Sequence, residues 1–242
     1  MYDELAPWFH LLTTPADYAE EAAFTLDLLR RNVDGPLETM LELGSGGGNN
    51  ANHLKRDLRL TLSDLSPQML ALSRTLNPDV EHVVGDMRTL RLGRTFDSVF
   101  IHDAISYLTT ESDLRSALET AFVHLGPGGA AVFAPDFVRE AFTEGTDDGG
   151  HDGADGRKLR YLEWRRDPDP SDTEYVTDYA IMTLMPDGAV DVRGDRHVQG
   201  LFPRETWLAL LADVGFEAED LDFDGGVDDP WGRVQFVGRK PR

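Results

Sequence analysis

The sequence predicts an α/β fold, a mostly parallel sheet with helices on both faces and a small antiparallel β insertion as a cap. Two observations predict it. From residue 15 to residue 136, apolar runs of strand length alternate with segments of helical periodicity, the rhythm of a parallel sheet wound by right-handed crossovers. Between residues 137 and 199 that rhythm breaks, and it returns at Pro203. At 242 residues the chain fits one such domain with a modest insertion and can bury a real core.

Taken in order, residues 15–31 place Tyr18, Ala22, Leu26 and Leu29 at helical spacing, and Asp34-Gly35-Pro36 stops that helix. Residues 39–43 read as a buried strand running into Gly44-Ser45-Gly46-Gly47-Gly48, with a helix through Ala51, His53 and Leu54 beyond it. Residues 58–63 form a second strand and 67–76 a helix, with Ser66 as cap and Pro67 at its first turn. Strands at 80–84 and 96–101 follow, then a helix at 111–125 ended by Gly126-Pro127-Gly128-Gly129, then a fifth strand at 130–134. Residues 143–156, acidic and glycine-rich, read as a mobile loop. Residues 158–199 hold two or three strand-like runs. The turns at Asp167-Pro168-Asp169-Pro170 and Pro186-Asp187-Gly188 fold them into an antiparallel ribbon. A helix at 203–214, closed by Gly215, and strands at 217–223 and 233–239 finish the chain. The expected division is a single domain over 1–242: a lid segment at 1–17, a core of 18–136 and 200–242, and an inserted loop and ribbon at 137–199.

Composition narrows the function. Hydrophobic residues at 40% and charged residues at 28% are ordinary for a globular enzyme and argue against disorder. The absence of cysteine excludes disulfides, thiolate metal sites and a cysteine nucleophile. No apolar stretch approaches the ~20 residues of a membrane span. Met1-Tyr2-Asp3-Glu4 lacks the basic start and apolar core of a signal peptide, so a cytoplasmic location is the default expectation. A formal charge of -21 repels phosphate backbones, which makes nucleic acid and anionic membranes poor partners. The excess gathers around Asp147, Asp148, Asp152 and Asp155, and between Asp213 and Asp229. Solubility accounts for it; attraction of a cationic substrate such as an amine is the sharper alternative.

A glycine-rich turn directly after a strand lets the backbone turn sharply and a cofactor approach closely. A dinucleotide-binding turn shows Gly-x-Gly-x-x-Gly, whereas this chain has Glu42-x-Gly44-x-Gly46-x-Gly48. Glu42, two residues before the first glycine, repels pyrophosphate. It suits a cofactor with a free ammonium group and no phosphate, as in S-adenosylmethionine (SAM).

Leu41-Glu42-Leu43-Gly44-Ser45-Gly46-Gly47-Gly48 resembles the first motif of the class I SAM-dependent methyltransferases, and later landmarks fall in that family's order. The resemblance implies a Rossmann-like, seven-stranded, mostly parallel sheet with an antiparallel last strand. It implies that Asp64 bonds the ribose hydroxyls through charge-assisted bonds and that Met69 flanks the adenine. Asp86 then reads the adenine amino group and Met87 its ring edge, Tyr18 reaches the SAM carboxylate, and His102 lies beside the transferred methyl. Glu42, Gly44, Ser45, Gly46 and Leu65 complete the expected cofactor set. The layout is similar to that of bacterial N,N-dimethyltransferases of nucleotide-linked amino sugars. These share a Tyr-Asp segment like Tyr2-Asp3, a motif like Gly85-Asp86-Met87-Arg88, and an antiparallel insertion before a segment like Leu201-Phe202-Pro203-Arg204-Glu205. They carry a histidine near the methyl donor where this chain has Tyr107, with His102 five residues earlier.

The sulfonium already activates the methyl of SAM, so such an enzyme aligns a nucleophile in line and excludes water. For an amine a neutral lone pair suffices; for a hydroxyl a general base adds on the order of 10²–10⁴-fold. His102 is the first candidate base, with a bond to a neighbouring loop as the alternative. Asp103 binds a substrate amine or hydroxyl, or caps the next turn. Tyr107 orients the substrate or packs, and His197 on the ribbon faces the pocket or solvent. Tyr2, Trp8 and His10, with Phe9, form an aromatic segment expected to pack over the pocket. Phe137, Trp164, Tyr179 and Phe202 line an acceptor cavity or belong to the core. No close-spaced ligand cluster suggests a metal. The expected activity is methyl transfer from SAM, with S-adenosylhomocysteine (SAH) as product, to nitrogen or oxygen of a small molecule in specialised metabolism. A non-catalytic SAM-binding protein is one alternative. A nicotinamide-dependent oxidoreductase is the other, against which the glycine spacing and the lack of a Tyr-x-x-x-Lys pair both count. His102-Asp103-Ala104-Ile105 stands where nucleic-acid and protein methyltransferases have an Asn-Pro-Pro-Tyr-type tetrapeptide. The ribbon can serve as a homodimer surface or as the roof of the pocket.

Overall fold

The computed structural model describes residues 5–223 and 233–242. Tyr2 and the end of the second acidic stretch lie outside them. The N-terminal part runs through α1 (Phe9–Leu12), α2 (Ala19–Asn32), β1 (Thr39–Leu43), α3 (Asn49–Leu54), β2 (Arg59–Asp64), α4 (Pro67–Leu76), β3 (Glu81–Val84) and β4 (Phe96–Ile101). A 3₁₀ turn at Asp103–Tyr107, α5 (Glu111–His124) and β5 (Leu125–Phe133) follow. Then come β6 (Gly145–Gly149), β7 (Lys158–Arg166), β8 (Glu174–Leu184) and β9 (Val190–Gly200). The chain closes with α6 (Arg204–Val214), β10 (Glu217–Asp222) and β11 (Val234–Arg239).

The main sheet has the order β10-β11-β5-β4-β1-β2-β3, with β11 antiparallel to both of its neighbours and the first five strands parallel. This is the expected seven-stranded sheet. Strand parity explains where its core and its site lie. Along β1, Leu41 and Leu43 enter the core beneath α5 and α6, while Met40 enters the core beneath α2 and α3. Side chains alternate faces along a strand, so Glu42 falls on the α2 face. Along β4, Val99 and Ile101 join the α5 side and Phe100 the α2 side, so His102 follows Phe100 toward α2. The same face of β5 carries Val132 and Ala134, two residues before Asp136. Three ionisable residues thus emerge on one face at the ends of adjacent strands.

Residues 143–156 do not form the loop expected from their composition. Gly145–Gly149 pairs along β7, from Gly145 opposite Arg165 to Gly149 opposite Tyr161, and the backbone ladder supplies what the side chains lack. The insertion is therefore a four-stranded antiparallel meander, β6-β7-β8-β9. Its inner face carries Leu159, Tyr161, Tyr179, Ile181, His197 and Gln199, all buried or half-buried; its outer face carries the exposed Leu162, Trp164, Met182 and Val192. Gly126-Pro127-Gly128-Gly129, expected to be a helix terminator, lies within β5, where the pairing with β4 is irregular between Phe96 and Ser98. The first predicted helix opens as a 3₁₀ turn at Pro15–Tyr18, held by a reciprocal Thr14–Asp17 cap. Among the described residues no helix is long and apolar enough to cross a membrane.

Candidate active site

A cavity of about 940 Å³ opens at the C-terminal ends of β1, β2 and β4, under the inner face of the meander. Strand order reverses between β1 and β4, the place where open α/β sheets bind ligands. The glycine turn forms one wall. Gly44 holds φ +75°, and a Cβ there would collide with Ala104 Cβ and come within 2.9 Å of Met87 Cε. The N–H groups of Gly44 and Ser45 donate to Ser63 O at 2.7 and 2.9 Å, which ties the turn to the end of β2. His10 Nε2 donates to Gly47 O at 3.2 Å. A side chain at Gly47 would strike Phe9 and His10, so α1 closes directly on the turn.

Around this wall, Glu42 Oε2, Ser45 Oγ, Asn49 Oδ1 and Asn50 Oδ1 are buried without hydrogen-bond partners among the described residues, and their side chains line the cavity. A buried polar atom left unpaired costs about 1–3 kcal/mol, so the four mark where a polar ligand completes the structure. Burial pushes the Glu42 carboxyl up to about 8 against the opposing charge of His102. An ammonium group at that spot would favour its ionised form. Asp64 ends β2 with Oδ2 accepting the Gly46 N–H and Oδ1 the Ser66 N–H, each at 2.8 Å. Burial raises its pKa and those N–H groups oppose the rise. A carboxyl group for an ammonium and another fixed by backbone at the neighbouring strand fit the amino-acid and ribose ends of SAM.

Tyr18, Leu65, Asp86, Met87 and His102 also line the cavity. Met69 does not. It is buried on α4 with Cε packed behind Gly46, because Ser66 caps the helix through the Met69 N–H and turns the side chain inward. Asp86 is already engaged by Arg88, whose Nε and Nη2 reach its two oxygens at 3.0 and 2.6 Å, and this pairing holds its pKa below the usual range.

Deeper in, the His102 imidazole contacts two carboxylates. Its Nε2 meets Glu21 Oε1 from α2 and lies 3.0 Å from Asp103 Oδ1. Burial would lower its pKa, but the charges of Asp103 and Glu21 outweigh burial and hold it at about 9. The two carboxylates thus favour the imidazolium form of His102. Burial and the facing Asp103 carboxyl raise Asp136 well above the usual range, and its Oδ2 accepts from Gln199 Nε2 at 2.8 Å.

On the opposite wall, Tyr107 Oη lies 2.7 Å from His197 Nδ1, and His197 Nε2 lies 3.3 Å from Asp195 Oδ2. Tyr107 and His197 both line the cavity; the register that pairs Thr177 with His197 aims the ring inward. A second cavity of about 330 Å³ shares Asp136, Tyr179 and Gln199 with the first and is also lined by Phe137, Asp147, Glu163, Arg165 and Arg233.

The remaining aromatic expectations separate. Phe137 lines the second cavity, with the Arg165 guanidinium 5.1 Å from its ring centroid. Trp8 packs with Leu5, Leu159 and Ile181 beneath the meander, away from both cavities, and Phe202 belongs to the main core. Trp164 is 62% exposed: it alternates with Glu163 and Arg165 and lands on the outer face of β7. Sequence reasoning missed Glu21, Asp195 and Gln199. Glu21 left a signal, since it sits with Ala22, Thr25 and Leu26 on the buried stripe of α2. The other two depend on a strand register that no local pattern encodes.

A seven-stranded sheet with a reversed last strand, and a cavity at its glycine turn lined by Glu42 and Asp64, have the arrangement of a methyltransferase. Residues 40–129 match the model of the methyltransferase domain family. The chain is 31% identical, over 92% of its length and 91% of the relative's, to the dTDP-3-amino-3,4,6-trideoxy-α-D-glucopyranose N,N-dimethyltransferase of Streptomyces venezuelae. It is 30% identical, over 92% and 84%, to the dTDP-3-amino-3,6-dideoxy-α-D-glucopyranose N,N-dimethyltransferase of Streptomyces fradiae. Among solved structures it resembles DesVI of Streptomyces venezuelae, with TM-score 0.85, 28% identity and 99% of each chain covered. It also resembles an amino pentose methyltransferase of Micromonospora echinaspora solved with SAM bound, with TM-score 0.77, 26% identity and coverage of 92% and 91%. The chain belongs to the class I SAM-dependent methyltransferases, in the family that includes these sugar N-methyltransferases. It is an enzyme of specialised metabolism that uses SAM as methyl donor, releases SAH and acts on a small molecule.

Proposed function

We propose that this enzyme methylates the amino nitrogen of a nucleotide-linked deoxyamino sugar. The observation that carries the reading is a pair of cavities that share Asp136, Tyr179 and Gln199. The larger has the ammonium-seeking Glu42 and the Asp64 carboxyl at one end and the acidic pair Asp103 and Asp136 further in. The smaller is lined by Arg165 and Arg233 together with Asp147 and Glu163. Relatives matched over nearly the whole chain act on dTDP-amino sugars, and an amine acceptor agrees with the acidic charge of the chain.

SAM, when bound, supplies an electrophilic methyl on a sulfonium. The protein's part is to hold and exclude. Glu42, Ser45 and the turn at Gly44 and Gly46 hold the amino-acid end, with Tyr18 beside it. Asp64 takes the ribose; Leu65, Asp86 and Met87 flank the base, and Met69 supports the turn from behind. The imidazolium of His102 fixes Asp103 and Glu21, so that Asp103 faces the acceptor amine. Phe9 and His10, on the segment before residue 17, shut the glycine turn from water. The outer meander face, with Leu162, Trp164, Met182 and Val192, forms an exposed apolar patch through which two copies would pair.

The test is incubation with SAM and a panel of dTDP-linked 3-amino and 4-amino deoxysugars, read by mass spectrometry. Transfer of methyl groups to the amino nitrogen is the expected result. Turnover of free carboxylic acids or phenols, with none on nucleotide sugars, would overturn the reading.

A further inference from the structure

The base of SAM carries one hydrogen-bond donor, the exocyclic 6-amino group, because the free ring nitrogens of adenine only accept. An ionised carboxylate also only accepts, so an acidic side chain at the base end of the cavity is complementary to that amino group. Asp86 lies two residues beyond β3, the edge strand of the main sheet, and lines the cavity with Leu65 and Met87. Gly85, just before it, donates its N–H to Asp64 O at 3.0 Å. An aspartate on a turn past an edge strand has two side-chain torsions to be fixed. Among the described residues, the groups that fix them all belong to Arg88. Its Nε donates to Oδ1 at 3.0 Å, its Nη2 to Oδ2 at 2.6 Å, and its backbone N–H to Oδ1 at 2.9 Å. Arg88 is anchored in turn to α5: Nη1 donates to Asp113 Oδ2 at 3.2 Å, and the Thr120 hydroxyl donates to the Arg88 carbonyl at 3.0 Å.

We propose that Arg88 is a positioning residue for the methyl donor: its guanidinium fork holds the Asp86 carboxylate against the 6-amino group, so that the enzyme selects an adenine donor over a 6-oxo purine. This role rests on the placement of the base beside Leu65, Asp86 and Met87. A fork that spans both carboxylate oxygens fixes the plane of the group as well as its charge. A point charge at the same place would leave the carboxylate free to turn. The same pairing holds the Asp86 pKa below the usual range, so the group stays an acceptor. A 6-oxo base sets a carbonyl oxygen against that carboxylate, with no donor at the exocyclic position. Because Arg88 is tied to α5 through both its side chain and its carbonyl, the orientation is set before the cofactor arrives.

The test compares SAH with S-inosylhomocysteine, its 6-oxo counterpart, by calorimetric titration at pH 7. The unaltered enzyme is expected to bind SAH about 10–100-fold more tightly, the range of one hydrogen bond to a charged group. Arg88→Met is expected to bring that ratio close to unity, chiefly through weaker binding of SAH. Arg88→Lys, which keeps the charge and loses the fork, restores little of it. An equal loss for both nucleosides in Arg88→Met would show a residue that merely supports the fold and would overturn the role. A ratio fully restored by lysine would overturn it too. Asp86→Asn, whose amide can turn to serve either base, separates the role from the placement of the base, and a ratio near unity is expected there. If Asp86→Asn keeps the ratio of the unaltered enzyme, or if that enzyme is indifferent to the two nucleosides, the placement of the base falls and the role of Arg88 with it. If Asp86→Asn loses the ratio while Arg88→Met keeps it, the role of Arg88 alone falls.

Discussion

His102, at the end of a parallel strand, and His197, on the antiparallel meander, face one cavity and are both buried beside carboxylates, yet their pKa values move in opposite directions. His102 meets Glu21 and Asp103 together, and two anions overcome the cost of burying a cation. At His197, with Asp195 Oδ2 3.3 Å from Nε2 and Tyr107 Oη 2.7 Å from Nδ1, burial outweighs the nearby carboxylates and lowers the pKa. The balance of nearby charge against desolvation sets the direction of each shift.

The comparison breaks most visibly at Glu21. Glu21→Gln removes one partner of a buried pair, and a loss of about 3 kcal/mol in unfolding free energy is expected, read by chemical denaturation at pH 7. The sign of the pH dependence follows from His102. Its pKa is raised from 6.5 to about 9, so its contribution to stability is complete below the unfolded value and is lost as pH rises through 9. In Glu21→Gln the decline between pH 7 and 9 shrinks.

The next effect lies on the cofactor side. Asp64→Ala is expected to weaken SAM binding by about 100-fold, from two charge-assisted bonds at roughly 1.5 kcal/mol each, measured by calorimetric titration. Smaller again is the pH dependence of SAM affinity. Glu42 holds its proton to about 8 in the free protein, and an ammonium partner stabilises only the carboxylate. Affinity is therefore expected to rise from pH 6 to pH 8, by at most about tenfold per pH unit, and the slope vanishes in Glu42→Gln. Smallest is Trp164→Ala. On an exposed face it changes monomer stability by within about 0.5 kcal/mol, while light scattering shows whether it shifts the protein toward monomers.

The main sheet and its glycine turn were legible because their signals are local. Apolar runs at strand length, Gly44 at a positive φ and Glu42 two residues before it identify themselves within a few positions. Side-chain parity then carried Glu42 and His102 to one face. What failed depended on distant partners. Gly145–Gly149 has no apolar alternation and becomes a strand through β7 alone. Trp164 was misassigned because nothing local says which face of β7 is inner. The charge of His102 depended on Glu21, 81 positions away, and the Tyr107–His197 bond spans 90.

The most direct test of the account is the site of methylation on a dTDP-linked 3-amino deoxysugar, assigned by NMR of the product formed with methyl-labelled SAM. The label is expected on the amino nitrogen. Label on a sugar oxygen would contradict it.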